Sequence, residues 1–139
     1  PTDSPYIIKV VTSNEVDEWA RRVAMGFGYP EAQEQFSHYA RAKGIIAFAV
    51  YDEGQIIAGA TVTMHGDVCD LGVTSTLPVY RGKGLQKKLL LTRLNYAKHY
   101  GLVMATVTTE PGTISDLNVQ KSGFRSAYTR IKLTRNHFS

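Results

Sequence analysis

Long apolar runs are missing from this chain of 139 residues, and nowhere do about 18 apolar residues follow one another, which excludes a membrane-spanning helix. An apolar signal region behind a basic start is missing too. Pro1 to Pro5 are short and polar and read as a tail ahead of one domain over residues 6–139. Cysteine is nearly absent: the single Cys69 rules out an internal disulfide and suits a reducing compartment, so a cytoplasmic location is expected. His38, His99 and His137 lack metal-ligand spacing with one another or with Cys69, and no metal is expected. Internal repeats, low-complexity tracts and linkers are also missing. What remains has the ordinary composition of one globular domain, 43% hydrophobic and 20% charged, long enough to bury a core.

The excess of charge is basic, 16 Lys and Arg against 12 acids, but it forms no single block. It gathers at Arg81 to Lys88 and again at Arg125 to Arg135. Two readings stay open: a solvated surface, or a field that draws in a small polyphosphate. A nucleic-acid partner would want aromatics interleaved with the basic residues on one face, and no such stretch exists, so none is expected. No membrane partner is expected either.

Along the chain, Tyr6 to Val11 reads as a strand. Thr12 with Glu15 is a capping box, and Val16, Trp19, Ala20, Val23 and Phe27 form the apolar stripe of a helix ended by Gly26 and Gly28. Pro30 opens a second helix with Ala32, Phe36, Tyr39 and Ala40 on one side, closed near Gly44. Ile45 to Tyr51, Gln55 to Met64 and Val68 to Thr76 are strands joined by the tight turns Asp52-Glu53-Gly54 and His65-Gly66-Asp67. Arg81 to Tyr100 reads as a long helix buried along Leu90, Leu91, Leu94 and Ala97. Leu102 to Thr108 is a strand, Ser115 to Lys121 a short helix, and Phe124 to Leu133 the last strand. The order β-α-α-β-β-β-α-β-α-β predicts an α/β protein, a mixed sheet holding a parallel pair, with helices on both faces. Few residues follow Phe124, so the sheet either lacks a last strand or has it completed by a partner, a homodimer included.

The most informative stretch is Pro78-Val79-Tyr80-Arg81-Gly82-Lys83-Gly84-Leu85-Gln86, where a strand runs into a glycine-rich loop that opens a helix. Gly82 and Gly84 permit close backbone approach to a ligand. The first N–H groups of the helix have no partner within it and lie at its positive end, a ready anion site to which Arg81, Lys83 and Lys87 add charge. The plainer reading is a glycine-softened helix start with solvated lysines. The spacing fits neither a Walker A loop nor a dinucleotide fingerprint.

These residues resemble the acyl-CoA loop of the GNAT superfamily of N-acetyltransferases, whose pattern is Arg/Gln-x-x-Gly-x-Gly/Ala. Ser115-x-x-Asn118-x-x-Lys121-x-Gly123-Phe124 is similar to that family's second landmark, and Thr109 to Gly112 with Ala127 to Arg130 resemble a bacterial subgroup of it. The resemblance implies a mostly antiparallel sheet with one parallel, splayed pair. It implies that Arg81, Gly82, Lys83, Gly84, Leu85 and Gln86 hold the pyrophosphate of acetyl-CoA through backbone amides, with Lys87 beside them. Ser75-Thr76-Leu77 would pair with the pantetheine like an added strand, and Ser115 and Asn118 would lie along its arm. Gly72 would mark the bulge that opens the slot for the thioester. Two departures stand out: Gln86 occupies a position the family gives to Gly or Ala, and Val119 replaces its frequent tyrosine.

Acyl transfer to an amine needs a deprotonated amine, a stabilised carbonyl oxygen and a protonated leaving thiolate. The candidate base is Asp70, acting through a water; the alternative is a strand residue without a role. His65 and Asp67 read as plain turn residues, and Cys69, which alternates away from Asp70, as a buried thiol. Tyr128 is the candidate acid in place of Val119, with Ser115 as the other hydroxyl in that region; the plainer reading makes them a sheet and a cap residue. The leading reading is an N-acetyltransferase acting on a small-molecule or protein amine, and the alternative is a non-catalytic acyl-CoA-binding module. Acceptor choice would lie in Ala24 to Lys43, which carry no legible code.

Overall fold

The computed structural model describes residues 6–102, 104–108 and 128–132. In chain order it contains β1 (Ile7–Val10), α1 (Val16–Phe27), α2 (Gln33–Ala40), β2 (Ile45–Asp52), β3 (Gln55–His65), β4 (Val68–Thr76), α3 (Leu85–His99), β5 (Met104–Thr108) and β6 (Tyr128–Lys132). The helix expected at Ser115 to Lys121, and with it Ser115, Asn118 and Val119, lies outside the described residues. The six strands form one sheet in sequence order, antiparallel at every step except the parallel pair β4 and β5. The mixed sheet read from the sequence is the sheet that forms. No helix among the described residues is long and apolar enough to cross a membrane.

The start of α1 follows the capping box. The Thr12 hydroxyl donates to the Glu15 carboxylate at 2.9 Å, a 3-10 turn Ser13–Glu15 intervenes, and α1 proper begins at Val16. Its stripe packs Trp19, fully buried, against the sheet, where the indole N–H donates to the Phe48 carbonyl at 3.0 Å. Gly28, at φ 83°, closes the helix in the left-handed conformation. Gly26 does not end it as expected; it lies within α1, where a β-carbon would strike the Ser75 hydroxyl.

The expected helix from Arg81 begins instead at Leu85. Pro78–Tyr80 form a separate 3-10 turn, and Gly82 and Gly84 hold φ values of 80° and 76° that a helix does not use. Its buried stripe is Leu85, Leu89, Arg93, Leu94 and Ala97, whereas Leu91 is 40% exposed and Leu90 half-buried. Successive residues turn by about 100°, so Leu89, Leu90 and Leu91 cannot all face one sheet. The row through Leu85, Leu89, Arg93 and Ala97 decides which does. Reading apolar residues alone hid this, because a buried arginine occupies one place in the row.

Each face of the sheet carries its own core. Phe48, Val50, Ile57, Val62, Cys69 and Leu71 meet Leu85, Leu89 and Leu94 of α3 on one side. On the other, Ala49, Ile56 and Val73 meet Trp19, Val23 and Phe27 of α1.

Candidate functional site at the open edge of β4

Between β3 and β4 the register runs Ala60 to Thr74, then Val62 to Leu71, so β4 carries one extra residue opposite Thr61. This is a bulge at Gly72 and Val73. Its effect is visible in the side chains. Cys69 and Leu71 belong to the α3 core but Val73 to the α1 core, and beyond the bulge Ser75 bonds to α1 while Thr76 bonds to α3. Gly72 and Val73 therefore face the same way. The parallel pairing with β5 runs from Val68–Met104 to Leu71–Val107 and stops there. Among the described residues β4 continues from Gly72 to Thr76 paired only with β3, one edge open. Among the described residues the β4–β5 pairing ends where the bulge sits.

The open edge leads into the glycine loop. α3 has no side-chain cap, and its first backbone turn is closed by Lys88 N–H donating to Gly84 O at 3.2 Å. The amides of Leu85, Gln86 and Lys87 precede any intrahelical acceptor and lie at the positive helix end. Among the described residues, a β-carbon at Gly82 or Gly84 would meet nothing within 4 Å. A cleft of about 150 Å³ bounded by Gly82, Gly84, Leu85 and Lys87 joins one of about 330 Å³ bounded by Gly26, Phe27, Thr74 and Ser75. Thr76, Arg81 and Gln86 line both, so the two clefts adjoin, one at the α3 start and one between the end of β4 and the end of α1.

Individual side chains differ in what they can offer. The Arg81 guanidinium donates to Gly26 O at 2.6 Å and Thr76 O at 3.4 Å, so it ties the last turn of α1 to the end of β4. Exposed Lys83 and Lys87 are the ammonium groups beside the loop. Gln86, unusual at its position, donates its amide to the Thr76 hydroxyl at 2.6 Å and so fastens the helix start to the strand end. The Ser75 hydroxyl donates to Val23 O at 2.9 Å, and Leu77 is buried with its N–H on Ile57 O. These side chains brace the clefts, and among the described residues none pairs with the outer backbone edge of β4 beyond Leu71.

A polar group collects on the α1 and α2 face beside the bulge. Asp70 Oδ2 lies 3.7 Å from His65 Nε2, the histidine exposed and the carboxylate partly so. His65 is thus more than a turn residue: it ends β3 and leans on the carboxylate across the hairpin. Exposed Asp67 stays in the turn. The Tyr39 hydroxyl, from α2, lies 3.4 Å from the Thr61 hydroxyl, and both crowd the space a Gly72 β-carbon would occupy, at 3.0 Å and 2.8 Å. Sequence reading missed this pair because Tyr39 sits in a stripe that looks like plain core. On the opposite face, buried Arg93 donates to Thr61 O at 2.9 Å and Leu89 O at 3.3 Å. It supplies a charged donor to the carbonyl beside the bulge. Burial lowers its guanidinium to about 10, and burial likewise pushes the Cys69 thiol up to about 11. Cys69 is therefore an inert core thiol. Tyr128 begins β6, its backbone paired with Thr108 one residue past the last β4–β5 pair.

This arrangement has counterparts. The family model described as acetyltransferase (GNAT) family matches residues 13–124. An uncharacterized N-acetyltransferase of Escherichia coli, YjgM, is 29% identical over 105 residues, which is 71% of this chain and 62% of that protein. The chain thus spans less than two thirds of that relative's length. The ribosomal-protein-S18-alanine N-acetyltransferase of Escherichia coli superposes with a TM-score of 0.72 at 12% identity, over 96% of this chain and 99% of that one. A GNAT family acetyltransferase of Brucella melitensis, solved in complex with acetyl-CoA, gives 0.71 at 16% identity over 93% and 88%. At such identities the likeness establishes the fold. With a family match over most of its length, a parallel pair that ends at a bulge and an uncapped glycine-loop helix, the chain belongs to the GNAT acetyltransferase family.

Proposed function

We propose that the chain moves the acetyl group of acetyl-CoA directly onto a primary amine. The observation that carries this reading is the pair of adjoining clefts between the uncapped start of α3 and the end of β4. A diphosphate fits the first end. Two negative charges meet bare amides and the positive helix end, with Lys83 and Lys87 adjoining. An extended amide-bearing arm fits the second, because the free edge from Gly72 to Thr76 offers backbone donors and acceptors at strand spacing. The thioester then reaches the bulge, where the described pairing of β4 and β5 ends.

Positioning supplies much of the rate in this reading, about 7–11 kcal/mol for two well-oriented reactants. Asp70, through a bridging water, takes the proton from the incoming ammonium. Its neighbour His65 gives that proton a second place to go. Backbone amides at the bulge face the developing oxyanion. Ser115 and Asn118 would flank the arm of the donor, and Tyr128 would stand on the β5 side of the opening. The acceptor, a small-molecule or protein amine, enters from the side of α1 and α2.

Calorimetry with acetyl-CoA, followed by release of free CoA across a panel of amines, tests the reading. Saturable binding with a stoichiometry of one and amine-dependent CoA release are expected. Binding without release for any amine would favour a non-catalytic acyl-CoA module, and no binding would remove both readings.

A further inference from the structure

The hydroxyl pair at the bulge has a consequence for the leaving group. The β4–β5 pairing ends at Leu71, so Gly72 is the first β4 residue beside the opening. Its missing side chain leaves room that two hydroxyls fill: Tyr39 Oη lies 3.0 Å and Thr61 Oγ1 2.8 Å from the ideal β-carbon position. Both are held from elsewhere. Thr61 is fully buried, its carbonyl taken by Arg93 from below, and the Tyr39 hydroxyl lies within 3.4 Å of the Thr61 hydroxyl. When the Thr61 hydroxyl donates to the Tyr39 oxygen, the phenolic proton is left for another acceptor, because each group has one donor and two acceptor sites. Asp70 stands two residues along β4 on the same face, its backbone about 6–7 Å from that of Gly72.

We propose that Tyr39 is a catalytic residue of the acetyl transfer: its phenol hydrogen-bonds and protonates the sulfur that leaves. The inference rests on the acetyl-transfer reading above. In the step, the amine nitrogen bonds to the acyl carbon and the carbon–sulfur bond breaks. The sulfur keeps the electron pair and takes the Tyr39 proton. The phenolate then recovers a proton given up by the nitrogen through water and Asp70. The division of labour is spatial: a carboxylate takes protons at one end of the polar face, and a phenol returns one at the bulge.

The test compares wild type with Tyr39→Phe, which keeps the ring and removes one oxygen. The equilibrium readout is titration of the thiol of bound CoA, followed by its thiolate absorbance. A phenol donating to the thiolate makes that thiol more acidic, so Tyr39→Phe is expected to lower its ionisation constant about tenfold. Asp70, His65 and Arg93, the other charged groups around the bulge, are unchanged in the variant, so the difference reports the phenol. The kinetic readout is a fall in kcat of about a hundredfold with KM for acetyl-CoA within twofold. Equal ionisation constants and equal kcat in the two proteins would overturn the inference and leave the acetyl-transfer reading standing. A wild type that binds acetyl-CoA and acetylates nothing would overturn both. Should Tyr39→Phe not fold, Gly72→Ala serves instead, since its methyl must displace both hydroxyls. It is expected to reproduce the loss of kcat and the weaker thiol acidity with CoA still bound, and wild-type behaviour in it would equally defeat the inference.

Discussion

At the scale of single residues, Gly84 separates two effects that sequence alone merges. It is the N-cap of α3 and holds φ 76°, a conformation costing most residues about 1–2 kcal/mol. Gly84→Ala adds that strain but almost no bulk, since among the described residues a β-carbon there meets nothing within 4 Å. Gly84→Glu adds the same strain plus a negative charge at the anion site. Gly84→Ala is expected to lower stability by about 1–2 kcal/mol and leave CoA affinity within threefold. Gly84→Glu is expected to weaken CoA at least about a hundredfold, which is about 2.7 kcal/mol. Chemical denaturation and calorimetry on the two variants check this. Equal CoA affinities in them would place the diphosphate elsewhere. The glycine pattern was legible in the sequence because it reports backbone geometry directly. The uses of Arg81 and Gln86 were not, since their partners, Gly26 and Thr76, are brought near only by folding.

At the scale of elements, the seat of α1 on β3 depends on a missing side chain. A β-carbon at Gly59 would lie 2.5 Å from Trp19 Nε1 and 2.8 Å from Val23 Cγ2. The indole cannot swing away without losing its bond to Phe48 O and its place in a closed core. Gly59→Ala is therefore expected to destabilise by about 1–3 kcal/mol although alanine suits a strand no worse than glycine. That would appear as a melting temperature lower on the order of 5–10 °C. An unchanged melting temperature would mean the helix is not held by this contact. Element existence was readable from capping, periodicity and turn residues, and the strands and early helices stand close to where those signals put them. Two details escaped. The start of α3 moved to Leu85 because a 3-10 turn and two left-handed glycines fill the preceding residues. Its buried row moved because Arg93, not a leucine, answers the carbonyl beside the bulge. Periodicity counts apolar residues and cannot anticipate a buried cation whose reason lies in another element.

At the scale of the whole molecule, the fold converts one irregularity into a site. The extra residue in β4 turns its side chains over and coincides with the end of its pairing to β5. Two consequences share one place: a free backbone edge leading to the start of α3, and a polar face where Tyr39, Thr61, Asp70 and His65 converge from α2, β3 and β4. The first was foreseeable through the family resemblance that the glycine loop carries. The second was not, because its members are scattered over residues 39–70 and meet only across the sheet. The most direct test follows backbone amide resonances during titration with CoA. The account predicts that the amides of Gly82 to Lys87 shift most, with a second set along Gly72 to Leu77, and that Ile7 to Val10 on β1 stay still. Shifts that leave the Gly82 to Lys87 amides in place and gather elsewhere would contradict it.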